Sequence, residues 1–232
     1  MKDTVGNYKY TAMIIEPRKH RALEFVLNNA LECLSTEWKI ILFHGNDNVQ
    51  YAEDIAQNIN NERLHLIQLD IENLDLISYS KLFGTNSEIY DAITTEHFLV
   101  FQTDSMIIKR NAHLINDFLV YDYVGSPWLV TNYVPTRECD FIGNGGFSLR
   151  RKSKMLEIIE KKQWNNHHED LFFSTKYPDI FVHKPEYPKA VTFCVDEVFS
   201  EITLACHKPW VHNHYELFKQ FYPECEILRE LQ

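Results

Sequence analysis

Four apolar runs of strand length, separated by intervals that can each hold a helix, dominate the first half of the sequence. They span Tyr10–Ile15, Trp38–Phe43, Leu64–Leu69 and His97–Phe101. Apolar strands that alternate with helices are typical of βαβ units, in which right-handed crossovers join parallel strands. The pattern therefore predicts an α/β fold with a mostly parallel sheet flanked by helices.

Amphipathic patterns mark the predicted helices. The clearest is His20–Leu34, where large apolar residues recur at helical spacing along one face. Weaker helical candidates are Val49–Ile59 and Ser78–Ile93, and the second half adds Asn111–Leu119 and Ser153–Lys162. The chain has 232 residues, and no repeat or long linker divides it. We therefore predict a single domain over residues 1–232.

The amino-acid composition limits the kinds of binding partner and the cellular compartment that we expect. A formal net charge of −10 argues against nucleic-acid binding, which needs clustered Lys and Arg. Five widely spaced cysteines without a Cys-x-x-Cys pair suggest neither a disulfide framework nor a zinc knuckle. No apolar stretch reaches the roughly 18 residues of a membrane span, and the first ten residues do not resemble a signal peptide. We expect a soluble, cytoplasmic protein.

The run Phe98–Phe101 ends abruptly at the polar residues Gln102, Thr103, Asp104 and Ser105. In open α/β sheets, ligands bind beyond the carboxyl ends of such strands, so Asp104 lies where a ligand is expected. A carboxylate there suits a divalent cation that bridges phosphates. The alternative is an Asp that caps the turn after the strand.

The segment Gly143–Arg150 holds three of the seven glycines in the chain. Such density lets a ligand approach the backbone, so Asn144, Gly145 and Gly146 are candidates for the floor of a substrate pocket. The segment matches neither Gly-x-Gly-x-x-Gly nor the Walker A pattern, and a tight turn is the alternative. Trp128 either stacks against a sugar ring in this pocket or belongs to the core.

Two acidic residues, Glu169 and Asp170, open what the pattern predicts to be a short amphipathic helix. Either of them is a candidate general base that accepts a hydroxyl proton. The alternative is that the helix dipole alone explains two carboxylates at this position. The preceding pair His167-His168 makes a poor metal chelate, because adjacent helical residues point in different directions.

Further candidates lie near the two ends of the chain. His207 is a possible metal ligand with Asp104, and Lys208 a point charge for phosphate. The alternative is an inert surface histidine. Glu16 and Arg18 follow the first predicted strand, where a nucleotide would lie, although Arg18 can also simply cap the sheet.

Taken together, these segments resemble a family of uncharacterised bacterial, fungal and viral proteins with the GT-A glycosyltransferase fold. The resemblance runs from about Thr11 to about Trp210. Four motifs in order carry it: FQTDS (Phe101–Ser105), YDYVGSPW (Tyr121–Trp128), GNGGFSLRRKSKM (Gly143–Met155) and HEDLFF (His168–Phe173).

Two parts of the chain resemble particular transferases. The glycine segment with Glu169-Asp170 is similar to inverting galactosyl- and N-acetylglucosaminyltransferases, whose acidic pair includes the base. The segment His207–Trp210 is similar to the closing segment of glycogenin-like transferases, where a histidine binds manganese and a lysine faces the diphosphate. One departure is that Gln102 replaces the first Asp of the usual Asp-x-Asp pair, which implies weaker metal binding or less dependence on it.

The resemblance implies a metal-dependent, inverting glycosyltransferase with a UDP- or GDP-sugar donor and a glycan or other hydroxyl acceptor. Residues 1–105 would bind the nucleotide and 106–232 the acceptor. Asp104 and His207 would hold Mn²⁺ or Mg²⁺, Asp170 would be the base, and Glu169 would contact a sugar. The donor-binding residues would be Glu16, Arg18, Gln102, Thr103, Asp104, Ser105 and Lys208, and the sugar pocket Trp128, Asn144, Gly145 and Gly146.

Three other functions remain as alternatives. A sugar nucleotidyltransferase would share the fold and the metal, but the chain has no glycine-rich basic loop near its N-terminus. A metal-dependent hydrolase would use the histidines. A sugar-binding module without activity would use the same carboxylates for binding alone.

Overall fold

A computed structural model describes residues 8–85, 88–131 and 133–232. The first half contains β1 (Tyr10–Ile15), α1 (Leu23–Cys33), β2 (Trp38–His44), α2 (Val49–Ile59), β3 (Leu64–Gln68), α3 (Leu76–Gly84), α4 (Glu88–Ala92), β4 (His97–Phe101) and β5 (Ser105–Ile107). A 3-10 helix (Lys109–Phe118) leads to β6 (Tyr123–Pro127), α5 (Val134–Glu138), β7 (Ile142–Arg151), α6 (Lys152–Lys161), α7 (Glu169–Ser174) and α8 (Tyr187–Ala190). The last elements are β8 (Cys194–Val195), β9 (Ala205–His207), a 3-10 turn (Pro209–Val211), α9 (Tyr215–Phe221) and α10 (Cys225–Glu230).

Six strands form the main sheet in the order β3-β2-β1-β4-β7-β6. The first four are parallel, and β7 pairs antiparallel with both β4 and β6. Alternate residues of each parallel strand belong to two separate hydrophobic clusters, one on each face of the sheet. Burial on both faces explains why β1, β2 and β4 are mostly apolar, whereas the edge strand β3 is only half-buried. The predicted α/β fold, with a mostly parallel sheet flanked by helices in a single domain, is confirmed.

Helix α2 has the predicted bounds, and α1 and α6 lie where helices were predicted, but two other predicted helices differ from the structure. The predicted helix Ser78–Ile93 is two helices, α3 and α4, and Asn111–Leu119 is a 3-10 helix. Asp75 caps α3 by accepting a hydrogen bond from the backbone N–H of Ser78 at 2.7 Å, so α3 begins earlier than predicted. No helix in the described ranges combines the length and apolarity needed to cross a membrane.

The glycine segment lies in strand β7, not in a tight turn. Phe147 pairs with Phe101, the last residue of β4, so residues 142–146 extend beyond the carboxyl end of that strand. The neighbouring strand β6 stays paired with this extension, and its register shifts at a bulge around Ser126. Strand β7 thus carries the glycines to the edge of the sheet where ligands are expected.

A second, three-stranded sheet has the order β5-β9-β8. Strand β5 begins directly after Asp104, and its first residue, Ser105, pairs with His207. The backbone N–H of Lys208 also donates a hydrogen bond to the carbonyl of Asp104 at 2.8 Å. This small sheet therefore brings His207 to the carboxyl end of β4.

Candidate functional site

The side chains of Asp104 and His207 face each other. Asp104 Oδ1 lies 3.2 Å from His207 Nε2. Both atoms are buried, and neither forms a hydrogen bond of good geometry. The two atoms form an ion pair when the imidazole is protonated. Two buried ligand atoms that converge in this way also fit a divalent cation bound by a carboxylate and an imidazole.

The other nitrogen of His207 has a partner that the sequence analysis missed. His207 Nδ1 lies 3.0 Å from Oδ2 of Asp196, a residue that is only 1% exposed. A carboxylate that accepts from one ring nitrogen leaves the other available for a metal. The sequence held a signal for Asp196, because it too ends an apolar run, Phe193-Cys194-Val195.

The charges at this position are strongly coupled. Burial favours the neutral imidazole, but Asp104 and Asp196 outweigh it and raise the pKa of His207 to about 9. Burial would raise the pKa of Asp104, but His207 and Lys208 hold it below its usual value. Two carboxylates that favour a proton on His207 would favour a cation at the same position.

Two protein ligands are fewer than a closed metal site requires. Within residues 8–85, 88–131 and 133–232, no group of three or more His, Cys, Asp or Glu side chains is arranged to hold a metal. Cations that act on phosphates commonly take one or two protein ligands and complete their shell with water and phosphate oxygens. The arrangement therefore suits a cation held jointly by the protein and a phosphorylated ligand.

A cavity of about 190 Å³ adjoins Asp104 at the carboxyl ends of β1 and β4. It is lined by Ile15, Glu16, Pro17, Arg18, Asn73, Leu74, Tyr79, Gln102, Thr103 and Asp104. Five of the seven predicted donor-binding residues share it: Glu16, Arg18, Gln102, Thr103 and Asp104. We call it the strand-end cavity.

An ion pair fixes one wall of the strand-end cavity. The buried carboxylate of Glu16 accepts hydrogen bonds from Arg18 Nε and one terminal guanidinium nitrogen, each at 2.8 Å. Arg18 itself remains exposed, and these two hydrogen bonds hold it at the rim of the cavity. Tyr79, which the sequence analysis missed, lines the same cavity with a buried hydroxyl that has no hydrogen-bond partner.

The remaining two predicted donor-binding residues lie outside this lining. Ser105 is 1% exposed, and its hydroxyl bonds both the N–H and the carbonyl of Gln102 at 2.9 Å. That placement favours a role in shaping the turn after β4. Lys208 follows β9 with a left-handed backbone (φ 34°, ψ 48°) and is half-buried beside Asp104.

Close approach explains two of the glycines. A Cβ on Gly146 would lie 2.2 Å from His207 Nε2, and a Cβ on Gly145 would lie 2.4 Å from Glu169 Oε1. The extension of β7 therefore passes between His207 on one side and the acidic pair on the other, with no side chain between them. Only glycine permits this contact at both positions.

Glu169 belongs to a buried ion pair. Its Oε1 accepts a hydrogen bond from Arg150 at 2.6 Å, and its Oε2 accepts one from the backbone N–H of Asp170 at 2.6 Å. Arg150 is fully buried, with the rings of Phe83, Tyr123 and Phe173 at 4.7, 5.4 and 5.7 Å from its guanidinium carbon. Because both oxygens of Glu169 are engaged, its placement favours support of Asp170 over direct contact with a sugar.

Asp170 has the environment of a proton acceptor. Its carboxylate accepts hydrogen bonds from the N–H groups of Gly145 at 3.2 Å and Leu171 at 2.7 Å. Burial, and then the charge of Glu169, raise the pKa of Asp170 to about 7. A carboxyl group with a pKa near the working pH is suited to general base catalysis.

The last two predicted pocket residues face inward. Trp128 is 8% exposed, and its ring would lie 3.1 Å from a Cβ on Gly143. This placement favours the alternative reading of Trp128 as a core residue. The amide oxygen of Asn144 accepts a hydrogen bond from the N–H of Gly146 at 3.1 Å, so Asn144 supports the glycine strand.

The fold is that of GT-A glycosyltransferases. The galactosyltransferase LgtC, in complex with donor and acceptor sugar analogues, aligns with a TM-score of 0.56 at 13% identity over 95% of this chain and 94% of LgtC. GlyE from Streptococcus pneumoniae TIGR4 aligns with a TM-score of 0.54 at 12% identity over 96% of this chain and 62% of GlyE. The mannosyltransferase PcManGT from Pyrobaculum calidifontis, in complex with GDP-Man and Mn²⁺, aligns with a TM-score of 0.50 at 10% identity over 76% of this chain and 56% of PcManGT. The chain thus spans less than two thirds of GlyE and PcManGT.

The chain itself belongs to the family DUF5672, described as proteins of unknown function. The family model matches residues 63–209, which is more than half of the chain. No curated protein matches the sequence. The matched region includes Asp104, the glycine segment, the acidic pair and His207, so the candidate site lies mostly within the family's own region.

Proposed function

We propose that this protein is a metal-dependent glycosyltransferase that moves a sugar from a nucleotide-sugar donor to a hydroxyl acceptor. One observation carries the proposal: buried side-chain atoms of Asp104 and His207 converge beside the strand-end cavity, and Asp170 lies across the glycine strand from them. The similarity of fold to glycosyltransferases supports it. PcManGT, which shares that fold, is described with GDP-Man and Mn²⁺.

In this proposal, Asp104 and His207 would hold Mn²⁺ or Mg²⁺, which would leave the cation open to the donor diphosphate and to water. The cation would neutralise the charge that develops on the departing nucleoside diphosphate. Lys208, half-buried beside Asp104, adds a positive charge on the same side. Gln102 stands where many GT-A enzymes have an Asp, so the cation has one protein carboxylate fewer.

The strand-end cavity would receive the nucleotide of a UDP- or GDP-sugar. Arg18, held at the rim by Glu16, can donate hydrogen bonds to ribose or phosphate. The buried hydroxyl of Tyr79 supplies a polar group in the same cavity. Ligand binding at the carboxyl ends of β1 and β4 follows the general rule for open α/β sheets.

Asp170 would act as the base. It would accept the proton of the acceptor hydroxyl as that hydroxyl attacks the anomeric carbon. Glu169 and Arg150 keep the start of α7 in place, and residues after about 106 would form the acceptor side. The acceptor would be a glycan or another molecule with a free hydroxyl.

Loss of the Asp104 charge tests the metal site. A thermal-shift screen of UDP- and GDP-sugars with and without Mn²⁺ first identifies a donor, since a ligand that binds only the folded state raises the melting temperature. Asp104→Asn should then weaken Mn²⁺-dependent donor binding by more than about 10-fold, the usual effect of losing an outer-shell partner. The reason is that asparagine keeps the shape of the side chain but removes the charge of a metal ligand. Isothermal titration calorimetry measures this.

Asp47→Asn is the matched control for the Asp104 variant. Asp47 is an exposed carboxylate near the carboxyl end of β2, which β1 separates from β4 in the sheet. We expect wild-type donor affinity for this variant. An Asp104→Asn protein that bound the donor in Mn²⁺ as tightly as the wild type would rule out the proposed metal site.

The stereochemistry of transfer tests the role of Asp170. A single base suits direct displacement, in which the acceptor hydroxyl attacks the face opposite the leaving group and inverts the anomeric centre. An α-linked donor should therefore give a β-linked product, and proton NMR of the first-formed product shows which anomer is present. An α-linked product would overturn the role proposed for Asp170.

A further inference from the structure

We propose that Asp196 is a positioning residue that holds His207 in the orientation needed to bind the cation. The inference rests on the metal site proposed above. It concerns a side chain that directly follows β8. The geometry that points to it is the pair of contacts on the two nitrogens of His207: Asp196 Oδ2 at 3.0 Å from Nδ1, and Asp104 Oδ1 at 3.2 Å from Nε2.

Asp196 is itself fixed from several directions. Its second carboxylate oxygen, Oδ1, lies 2.8 Å from His212 Nε2, and its backbone carbonyl lies 2.7 Å from His214 Nε2. The rings of His212 and His214 stack at 5.6 Å. The residue is 1% exposed, so water does not compete for these contacts. Asp196 is therefore a rigid acceptor.

A rigid acceptor on Nδ1 has two consequences for His207. It keeps the remaining proton on Nδ1 when the ring is neutral, which leaves the lone pair of Nε2 for a metal. It also fixes the ring plane, so that Nε2 stays directed at Asp104 Oδ1. The alternative is that Asp196 only satisfies the hydrogen-bonding groups of the histidines around it and has no effect on the cation.

Binding of Mn²⁺ alone, measured by electron paramagnetic resonance and water-proton relaxation, separates these two roles without any activity assay. Asp196→Ala should raise the Kd for Mn²⁺ by about 10- to 100-fold, the usual effect of removing an outer-shell partner of a metal-binding histidine. Asp196→Asn keeps an acceptor for Nδ1 and should restore part of the affinity. Circular dichroism and a thermal melt establish that each variant is folded, and the Asn variant serves if the Ala variant does not fold.

A double-mutant cycle gives the sharper test. If Asp196 acts only through His207, then Asp196→Ala should have no further effect on Mn²⁺ affinity in a His207→Ala background. Glu197→Ala is the matched control, because it removes the adjacent carboxylate, which bonds the N–H of Leu129 and not a histidine. We expect wild-type affinity for that control.

The outcomes distinguish the two proposals. A wild-type protein that does not bind Mn²⁺, or a His207→Ala variant that binds it equally well, would overturn the metal site itself. Loss of affinity in His207→Ala but not in Asp196→Ala would overturn only the role of Asp196. Losses that add in the double variant would show that Asp196 acts independently of His207 and would also overturn that role.

Discussion

Asp170→Asn should lower kcat by about 10²- to 10⁴-fold, the usual contribution of a general base, while donor affinity stays nearly unchanged. The amide keeps the size of the side chain and an acceptor for the N–H of Gly145 or Leu171, but it cannot take a proton. Release of nucleoside diphosphate under saturating donor and acceptor measures kcat, and calorimetry measures donor affinity.

The pH dependence of the wild type adds an independent signature. A base whose pKa is raised to about 7 is protonated, and so inactive, below that pH. We therefore expect kcat/KM to fall as pH decreases through about 7 and to reach a plateau above it. The residual activity of Asp170→Asn should lack this acid limb.

Asp91→Asn, a change at an exposed carboxylate of α4, controls for loss of one negative charge and should leave kcat unchanged. Donor binding that fell equally in Asp170→Asn and Asp104→Asn would place Asp170 in the nucleotide site and remove it from the role of base.

Arg150→Met should destabilise the protein by about 3–5 kcal/mol, because it leaves the buried carboxylate of Glu169 without its cationic partner. Arg150 is fully buried with aromatic rings against its guanidinium, so water cannot readily replace it. Urea denaturation followed by circular dichroism measures the free energy of unfolding.

The double variant Arg150→Met/Glu169→Leu should recover most of this loss, since replacing both members of a buried ion pair by apolar groups is often neutral or stabilising. Arg151→Met is the matched control. It removes the neighbouring, partly exposed ion pair with Asp122 and should cost much less stability. An Arg150→Met variant as stable as Arg151→Met would show that the Arg150–Glu169 pair is not what holds the start of α7.

The parallel strands were the most predictable part of the fold. Tyr10–Ile15 and His97–Phe101 have the bounds expected from the sequence, because a strand buried on both faces is apolar along its whole length. The glycine segment was less predictable. Its glycines indicate freedom of the backbone, but the reasons for them, His207 and Glu169, lie in distant parts of the chain and come close only in the folded structure.

The residues of the candidate site also differ in how well the sequence predicts them. Asp104 was identifiable because it directly follows a buried strand, where the α/β rule places ligands. Arg150 and Tyr79 were not, since an Arg in a strand and a Tyr in a helix gain their significance from the groups packed around them. Asp196 lies between these cases: it ends an apolar run as Asp104 does, but only the pairing of β5, β9 and β8 shows that it faces a histidine.

The pairing of Ser105 with His207 has a consequence for how a bound cation would affect the whole molecule. Asp104 follows a strand of the main sheet, and His207 ends a strand of the small one. A cation between them would cross-link the two sheets through residues that are far apart in the sequence. Its binding energy would then be added to the free energy of unfolding, since the unfolded chain cannot bring these two ligands together. Chelation should therefore loosen the contact between the sheets before it affects either sheet alone.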